Sequence, residues 1–137
     1  MANAIYPTYK NSLLQGDANT ALTGSGSTGL FAALVDTGTY TYSAAHQFYS
    51  SLSGVVGTDQ EITTPTTTGG LIDGGDLTYT AVSGSSVEAL VLYRKNAGAN
   101  TTWRLVAYID TGVTGLPVTP NGGNITVTWN ASGIIQL

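Results

Sequence analysis

The chain has 137 residues, and only 9% of them are charged, with a formal net charge of −4 at pH 7. An average soluble protein has about 25% charged residues, so this chain is unusually neutral. Four lysines and arginines cannot form a basic stripe that neutralises phosphates, which argues against nucleic-acid binding. The length predicts a single domain spanning residues 1–137.

The absence of cysteine excludes disulfides and thiolate chemistry. The longest apolar runs fall well short of the ~18 residues of a membrane span, so no membrane contact is expected. The opening segment, MANAIYPTYK, has no basic stretch followed by an apolar one. We therefore expect no secretory signal and synthesis in the cytoplasm.

Residues Ala4–Gln15 are predicted to form a short helix. Pro7 suits the first turn, where its missing N–H costs nothing, and Gly16 provides the stop. Ile5, Tyr9 and Leu13, with Leu14 beside them, recur at helical spacing on one side. Two alternatives stay open for residues 1–16, namely a helix packed on its own sheet and an arm that docks on a neighbouring subunit.

A second short helix is predicted at Ala44–Leu52, after the apolar strand at residues 30–36. Ser43 is a suitable cap, and Phe48 and Tyr49 would share one face of the helix. The only histidine, His46, lies in this segment. With no second ligand or nucleophile nearby in sequence, we interpret it as structural or exposed.

Residues 87–110, VEALVLYRKNAGANTTWRLVAYID, predict two long strands joined by a turn at residues 96–100. Both strands carry continuous apolar runs, at residues 89–93 and 105–109. Such runs are typical of strands covered on both faces, whereas half-exposed strands alternate. This hairpin is therefore expected in the middle of the fold.

Shorter patterns fill in the rest of a mainly β chain. They predict an edge strand at residues 55–65, a hairpin turn at 71–77, and strands at 76–82, 125–129 and 134–137. The predicted fold class is a single-domain antiparallel β-sandwich or a partly closed barrel, with one or two short helices. Neutral threonine-rich faces suit a stable β-domain, and they also suit protein–protein contacts because little charge must be desolvated.

No catalytic, cofactor or metal motif is recognisable, so the chain is not expected to be an enzyme. Asp73 and Asp76 flank two glycines but lack the spacing of a calcium loop. Paired glycosidase acids need not be close in sequence. The two tryptophans, however, fall in predicted core strands, and no aromatic-rich saccharide cleft is evident.

Three basic residues flank the tip of the central hairpin. They form either a solvated turn or a small cationic knob that faces an acidic partner. The residues predicted to contact a partner are tyrosines of the first half of the chain and these basic residues: Tyr6, Tyr9, Tyr40, Tyr42, Arg94, Lys95 and Arg104.

Four stretches in this order resemble a family of small structural proteins of tailed bacteriophages. They are MANAIY with its helix, AALVDTGTYTYSAAHQFYSSL, AVSGSSVEALVLY and RLVAYIDTGVTGLPVTPNGGNITVTWNASGIIQL. The resemblance covers most of the chain and is weakest at residues 16–28 and 58–75. Family members often carry an Asp-Asn-Gly-type turn before the final strand, where this chain has Asn130-Ala131-Ser132-Gly133.

The resemblance implies a virion location and no catalytic residues. Our leading hypothesis is a capsid decoration, or cement, protein that binds the major capsid protein across subunit junctions. Homo-oligomers, with a trimer favoured, would suit the local symmetry of a shell. The alternatives are a tail, neck or baseplate component and a host-surface glycan-binding module.

Overall fold

Antiparallel β-sheets and one α-helix make up the computed structural model, which describes residues 2–137. A five-stranded sheet is the larger layer, and two-stranded ribbons complete a small sandwich-like fold. Among the described residues the sheets do not close, so the partly closed barrel is wrong. The elements are β1 Ala4–Ile5, α1 Pro7–Gln15, β2 Leu30–Val35, β3 Val55–Glu61, β4 Leu71–Ile72, β5 Leu77–Tyr79, β6 Ala89–Arg94, β7 Arg104–Ile109, β8 Ile125–Val127 and β9 Ile135–Gln136.

The central hairpin is confirmed as β6 and β7. The strand order in the large sheet is β1-β7-β6-β2-β3, so both strands have a neighbour on each side. Every residue of β6 is buried, and all of β7 after Arg104 is buried as well. Continuous apolar runs thus correspond to strands that are covered on both faces.

The edges of the large sheet are short or irregular. At one edge, β1 has only two residues and pairs with β7. At the other edge, β3 confirms the predicted edge strand, and its register with β2 shifts between the pairs Ala32–Gln60 and Leu34–Val56. The irregular part of β3 therefore contains residues 57–59, where Gly57 has a positive φ of 73°.

The two ribbons pair β4 with β9 and β5 with β8. The hairpin predicted at residues 71–77 is therefore wrong, since its two sides belong to different ribbons. Its glycines serve a close approach instead: the Gly75 N–H donates to Thr63 O at 2.9 Å, and a Cβ on Gly74 would lie 2.3 Å from Ile62 Cγ2. The segment at 73–76 packs on the chain around residue 63, which prevents a tight turn.

The N-terminal helix is present but starts at Pro7, because Ala4 and Ile5 pair with β7. Pro7 begins the helix, and Gly16 ends it in the left-handed conformation with a φ of 70°, as predicted. Tyr9 and Ser12 are its buried residues. The helix thus packs on its own chain.

The prediction of a second helix at Ala44–Leu52 is wrong. Residues 44–52 contain a turn, an isolated bridge from Phe48 to Arg104, and a single 3₁₀ turn at Tyr49–Ser51. The backbone here is hydrogen-bonded to the chain around the start of β7: Leu105 N donates to Gln47 O at 2.9 Å, and Tyr49 N donates to Trp103 O at 2.8 Å. Tertiary pairing of these peptide groups outweighs the local helical pattern.

Candidate functional site

The tyrosines predicted to contact a partner are mostly internal. Tyr6, Tyr9 and Tyr40 are buried, and Tyr42 is half-buried. The hydroxyls of Tyr6 and Tyr40 share a 2.7 Å hydrogen bond, and the Tyr40 hydroxyl lies 2.9 Å from His46 Nδ1. Burial, with the neighbouring Tyr40, raises the pKa of Tyr6 well above its ordinary value. These side chains form a polar network inside the fold.

The basic residues do not form a knob on the hairpin tip, and they are not a simply solvated turn either. Arg94 is only 8% exposed, and its Nε donates to Ala21 O at 2.7 Å. Arg104 donates from Nη1 to Ser12 Oγ at 2.8 Å and forms an ion pair with Asp17 at 3.5 Å. Both guanidinium groups therefore tie the segment after α1 to the sheet.

Lys95 takes part in a different arrangement, which we call the aromatic pocket. This cavity of about 340 Å³ opens beside the irregular part of β3. It combines four aromatic rings, one carboxylate and one ammonium group. Its principal residues are Phe31, Tyr49, Asp59, Tyr93, Lys95 and Trp103.

Two rings of the aromatic pocket come from neighbouring strands of the large sheet, the third immediately precedes β7, and Tyr49 lies in the 3₁₀ turn at Tyr49–Ser51. Phe31 of β2 is the register partner of Tyr93 of β6, and Trp103 immediately precedes β7. Tyr93 stacks on both, with centroid distances of 5.8 Å to Phe31 and 5.7 Å to Trp103. Tyr49 presents its edge to Tyr93 at 4.6 Å. Such offset and edge contacts are the favoured geometries of aromatic pairs.

Asp59 supplies the carboxylate of the aromatic pocket. Its Oδ2 accepts hydrogen bonds from the hydroxyls of Tyr49 at 2.8 Å and Tyr93 at 2.9 Å. Its Oδ1 is buried and has no hydrogen-bond partner within residues 2–137. Burial raises the pKa of Asp59, while the two tyrosine hydroxyls and Lys95 act in the opposite direction.

The Lys95 ammonium lies over two ring faces of the pocket. Nζ is 4.9 Å from the Phe31 centroid and 5.1 Å from the Trp103 centroid. These distances are those of a cation–π interaction. The pocket is thus lined by aromatic faces and an acid, and the chain's own lysine covers it.

Little in the local sequence pattern predicts the aromatic pocket. Tyr93 and Lys95 share a face because they are two positions apart at the end of one strand. Phe31 and Trp103, however, lie 62 and 10 positions from Tyr93, and their contact with it follows only once the register of three strands is known. Asp59 lies in the irregular part of β3. Only the alternation at residues 93 and 95 was a local signal.

A second surface feature, the leucine patch, consists of Leu13, Leu14 and Leu137. Leu14 is 88% exposed and Leu137 is 51% exposed, and they are the exposed large hydrophobic residues of the described chain. All three leucines line a shallow pocket together with Lys10. Leu13 and Leu137 also line an adjacent cavity of about 220 Å³ whose wall includes Leu22 and Ile72. The patch therefore continues inward as an apolar groove.

Within residues 2–137, no group of three or more His, Asp and Glu side chains is placed to hold a metal ion. In that part of the chain, no helix is long and apolar enough to cross a membrane.

Comparison with known proteins found no match, either to a protein-family model or to a curated protein.

Proposed function

We propose that the protein is a structural component of a bacteriophage virion, and that it decorates the capsid by docking the leucine patch on the major capsid protein. The observation that carries the proposal is the position of Leu14 and Leu137. The two most exposed large apolar side chains come from opposite ends of the chain and lie on one surface. Scattered exposed leucines are ordinary, whereas leucines grouped over an apolar groove mark an interaction surface.

The energetics of the patch favour a docked state. Burying a leucine side chain contributes about 1.5–3 kcal/mol, so two leucines can contribute a substantial part of a modest interface. Lys10 is the charged residue of the shallow pocket, and little charge has to be desolvated when it is covered. A weak contact of this kind becomes effective when it is repeated at many sites of a shell.

The chemistry around the patch agrees with a physical function. The surface is built from an α-helix and the last residues of the chain, and it lies beside neutral segments such as residues 67–70. The resemblance to small virion proteins supports a location in the virion, and the major capsid protein at the outer capsid surface is the partner that we propose. Self-association into trimers is part of the same proposal, because copies would cluster at local three-fold positions.

The test uses a Leu14→Glu, Leu137→Glu double variant and capsids that lack the protein. Glutamate keeps good helix propensity at position 14, so the fold should be retained. Capsid binding, measured by co-sedimentation, should weaken by at least about tenfold, since burying two charges replaces burying two leucines. Virions that carry the double variant should release DNA at a lower temperature than virions that carry the parent.

The matched control is Thr126→Glu, which places the same charge at an exposed position of β8. It should bind capsids like the parent. If the double variant remains folded and binds equally well, the leucine patch is not the docking surface. If labelled protein is found only at the tail of intact particles, the capsid proposal is wrong and the tail component is right.

A further inference from the structure

We propose that the aromatic pocket is a binding site for an alkylammonium cation, which enters in place of the Lys95 ammonium. The pocket shares no residue with the leucine patch, so this inference does not depend on the proposed function. It follows from three features of the pocket, namely its ring faces, its acid and its present occupant.

The ring faces provide the first argument. Aromatic faces carry partial negative charge and attract a cation that lies within about 6 Å of the ring centroid. Nζ of Lys95 meets this condition for both Phe31 and Trp103. Tyr93 stacks against both of these rings, and Tyr49 closes the side with its edge. An ammonium group has therefore been accommodated by this set of rings, which shows that the geometry suits one.

Asp59 provides the second argument. A buried carboxylate is stable when its oxygens are hydrogen-bonded or when a cation pairs with it. The tyrosine hydroxyls satisfy Oδ2, but Oδ1 has no partner within the described chain. Within the described chain, Asp59 feels the charge of Lys95, but neither of its oxygens accepts a hydrogen bond from that ammonium. A cation inside the pocket would pair with Oδ1 directly, which Lys95 does not.

The weakness of the cation–π contacts that Lys95 makes provides the third argument. Its side chain has a long flexible stem, and an exposed cation–π contact is worth only about 0.5–1 kcal/mol. A tethered lysine competes with an added ligand at an effective concentration in the millimolar range. Removing the lysine should therefore strengthen binding of an added cation, whereas a lysine essential to the pocket's shape would give the opposite result.

The test is an NMR titration of the isotope-labelled full chain with tetramethylammonium chloride and with n-butylammonium chloride. The indole N–H of Trp103, which donates to Asn96 O and Gly98 O, reports on the pocket. The indole N–H of Trp129, which donates to Gly75 O, is an internal control outside it. Sodium chloride at the same concentration corrects for ionic strength.

We expect a saturable shift of the Trp103 signal and none of the Trp129 signal. The Lys95→Ala variant should bind the cations about tenfold more tightly than the parent, as the effective concentration of a tethered competitor implies. Lys10→Ala, which removes a lysine of α1, should bind like the parent. Preference for butylammonium would point to a lysine side chain of a partner, and preference for tetramethylammonium to a quaternary ammonium headgroup.

Two further variants, both in the Lys95→Ala background, test the pocket itself. Asp59→Asn keeps the shape and removes the charge, and Phe31→Leu removes one ring face. Asp59→Asn should reduce the affinity at least about tenfold and Phe31→Leu about two- to fivefold, while the dispersion of the amide spectrum is unchanged. The proposal is overturned if Lys95→Ala gives no saturable shift, if sodium chloride produces the same shift, or if both variants bind as tightly as their background.

Discussion

At the scale of single residues, Asp59 shows how this fold tolerates a carboxylate among aromatic rings. Two tyrosine hydroxyls, from the 3₁₀ turn at Tyr49–Ser51 and from β6, donate to the same oxygen. The Asp59 carboxylate is thus stabilised by short hydrogen bonds from two neutral hydroxyls and not by a direct ion pair. A hydrogen bond to a buried charged group contributes more than one between neutral groups, so the two tyrosines should matter for stability.

The variant Tyr93→Phe keeps the ring stack and removes one of the two donors to Asp59. We expect a loss of about 1–3 kcal/mol in the free energy of unfolding, because the carboxylate stays buried with one bond fewer. Urea unfolding of the parent and the variant measures this difference. In an Asp59→Asn background the same substitution should cost clearly less, and an equal cost in both backgrounds would show that the hydroxyl acts elsewhere.

At the scale of elements, the ribbon of β4 and β9 depends on the turn that precedes β9. Gly133 is buried with a φ of 103°, and a Cβ there would lie 2.8 Å from Leu71 Cδ1. Gly122 has a similar φ of 87° but has no atom within 4 Å of such a Cβ. Substitutions at Gly122 and Gly133 therefore distinguish backbone strain alone from strain combined with a steric clash against Leu71 of β4.

Gly122→Ala is expected to cost about 1–3 kcal/mol, the range for a non-glycine residue in an unfavourable φ region. Gly133→Ala should cost more, since the clash with Leu71 is added to the strain. Thermal unfolding of both variants, followed by circular dichroism, measures the order. Equal losses of stability in the two variants would mean that Leu71 and the β4–β9 ribbon move aside without a measurable loss of free energy.

Elements differ in how far local sequence determines them. The β6–β7 hairpin was predictable because a strand covered on both faces must be apolar along its whole length. The absence of the predicted helix at residues 44–52 could not be foreseen, because the peptide groups of Gln47 and Tyr49 form hydrogen bonds to the chain around the start of β7. The N-terminal helix began late for a related reason, since pairing of Ala4 and Ile5 with β7 competes with the first helical turn.

The surface sites were less accessible to prediction than the core. Leu14 follows Leu13 in a helical pattern that suggested one buried side, yet the structure exposes it beside Leu137. No local pattern relates position 14 to position 137. The same is true of Asp59, whose place in the aromatic pocket depends on the register shift in β3. Long-range pairing determines both sites, and a single sequence contains little information about it.

At the scale of the whole molecule, the tyrosines couple the fold to alkaline pH. Seven of the eight tyrosines have a pKa above the ordinary value of 10, chiefly because burial disfavours the phenolate. For Tyr9, which donates to Thr20 O at 2.6 Å, burial raises the pKa to about 12. Each of these groups is harder to ionise in the folded state than in the unfolded one.

This coupling predicts alkaline unfolding. The stability due to the protonated tyrosines is fully present below pH 10 and is lost as the pH rises toward the folded-state values. Tyrosinate absorbance should therefore rise late and together with the loss of circular dichroism. The prediction would be contradicted if most of the tyrosines ionised near pH 10 while circular dichroism showed that the protein was still folded.

The edges of the large sheet have a consequence for crowding. A long flat edge strand is a template on which another chain can add, and repeated addition gives fibres. One edge of this sheet is only two residues long, and the other is bent by the register shift and by Gly57. Molecules held side by side at high density thus lack a regular edge for strand exchange. Many copies of such a domain can therefore be packed closely without joining their sheets into a continuous fibre.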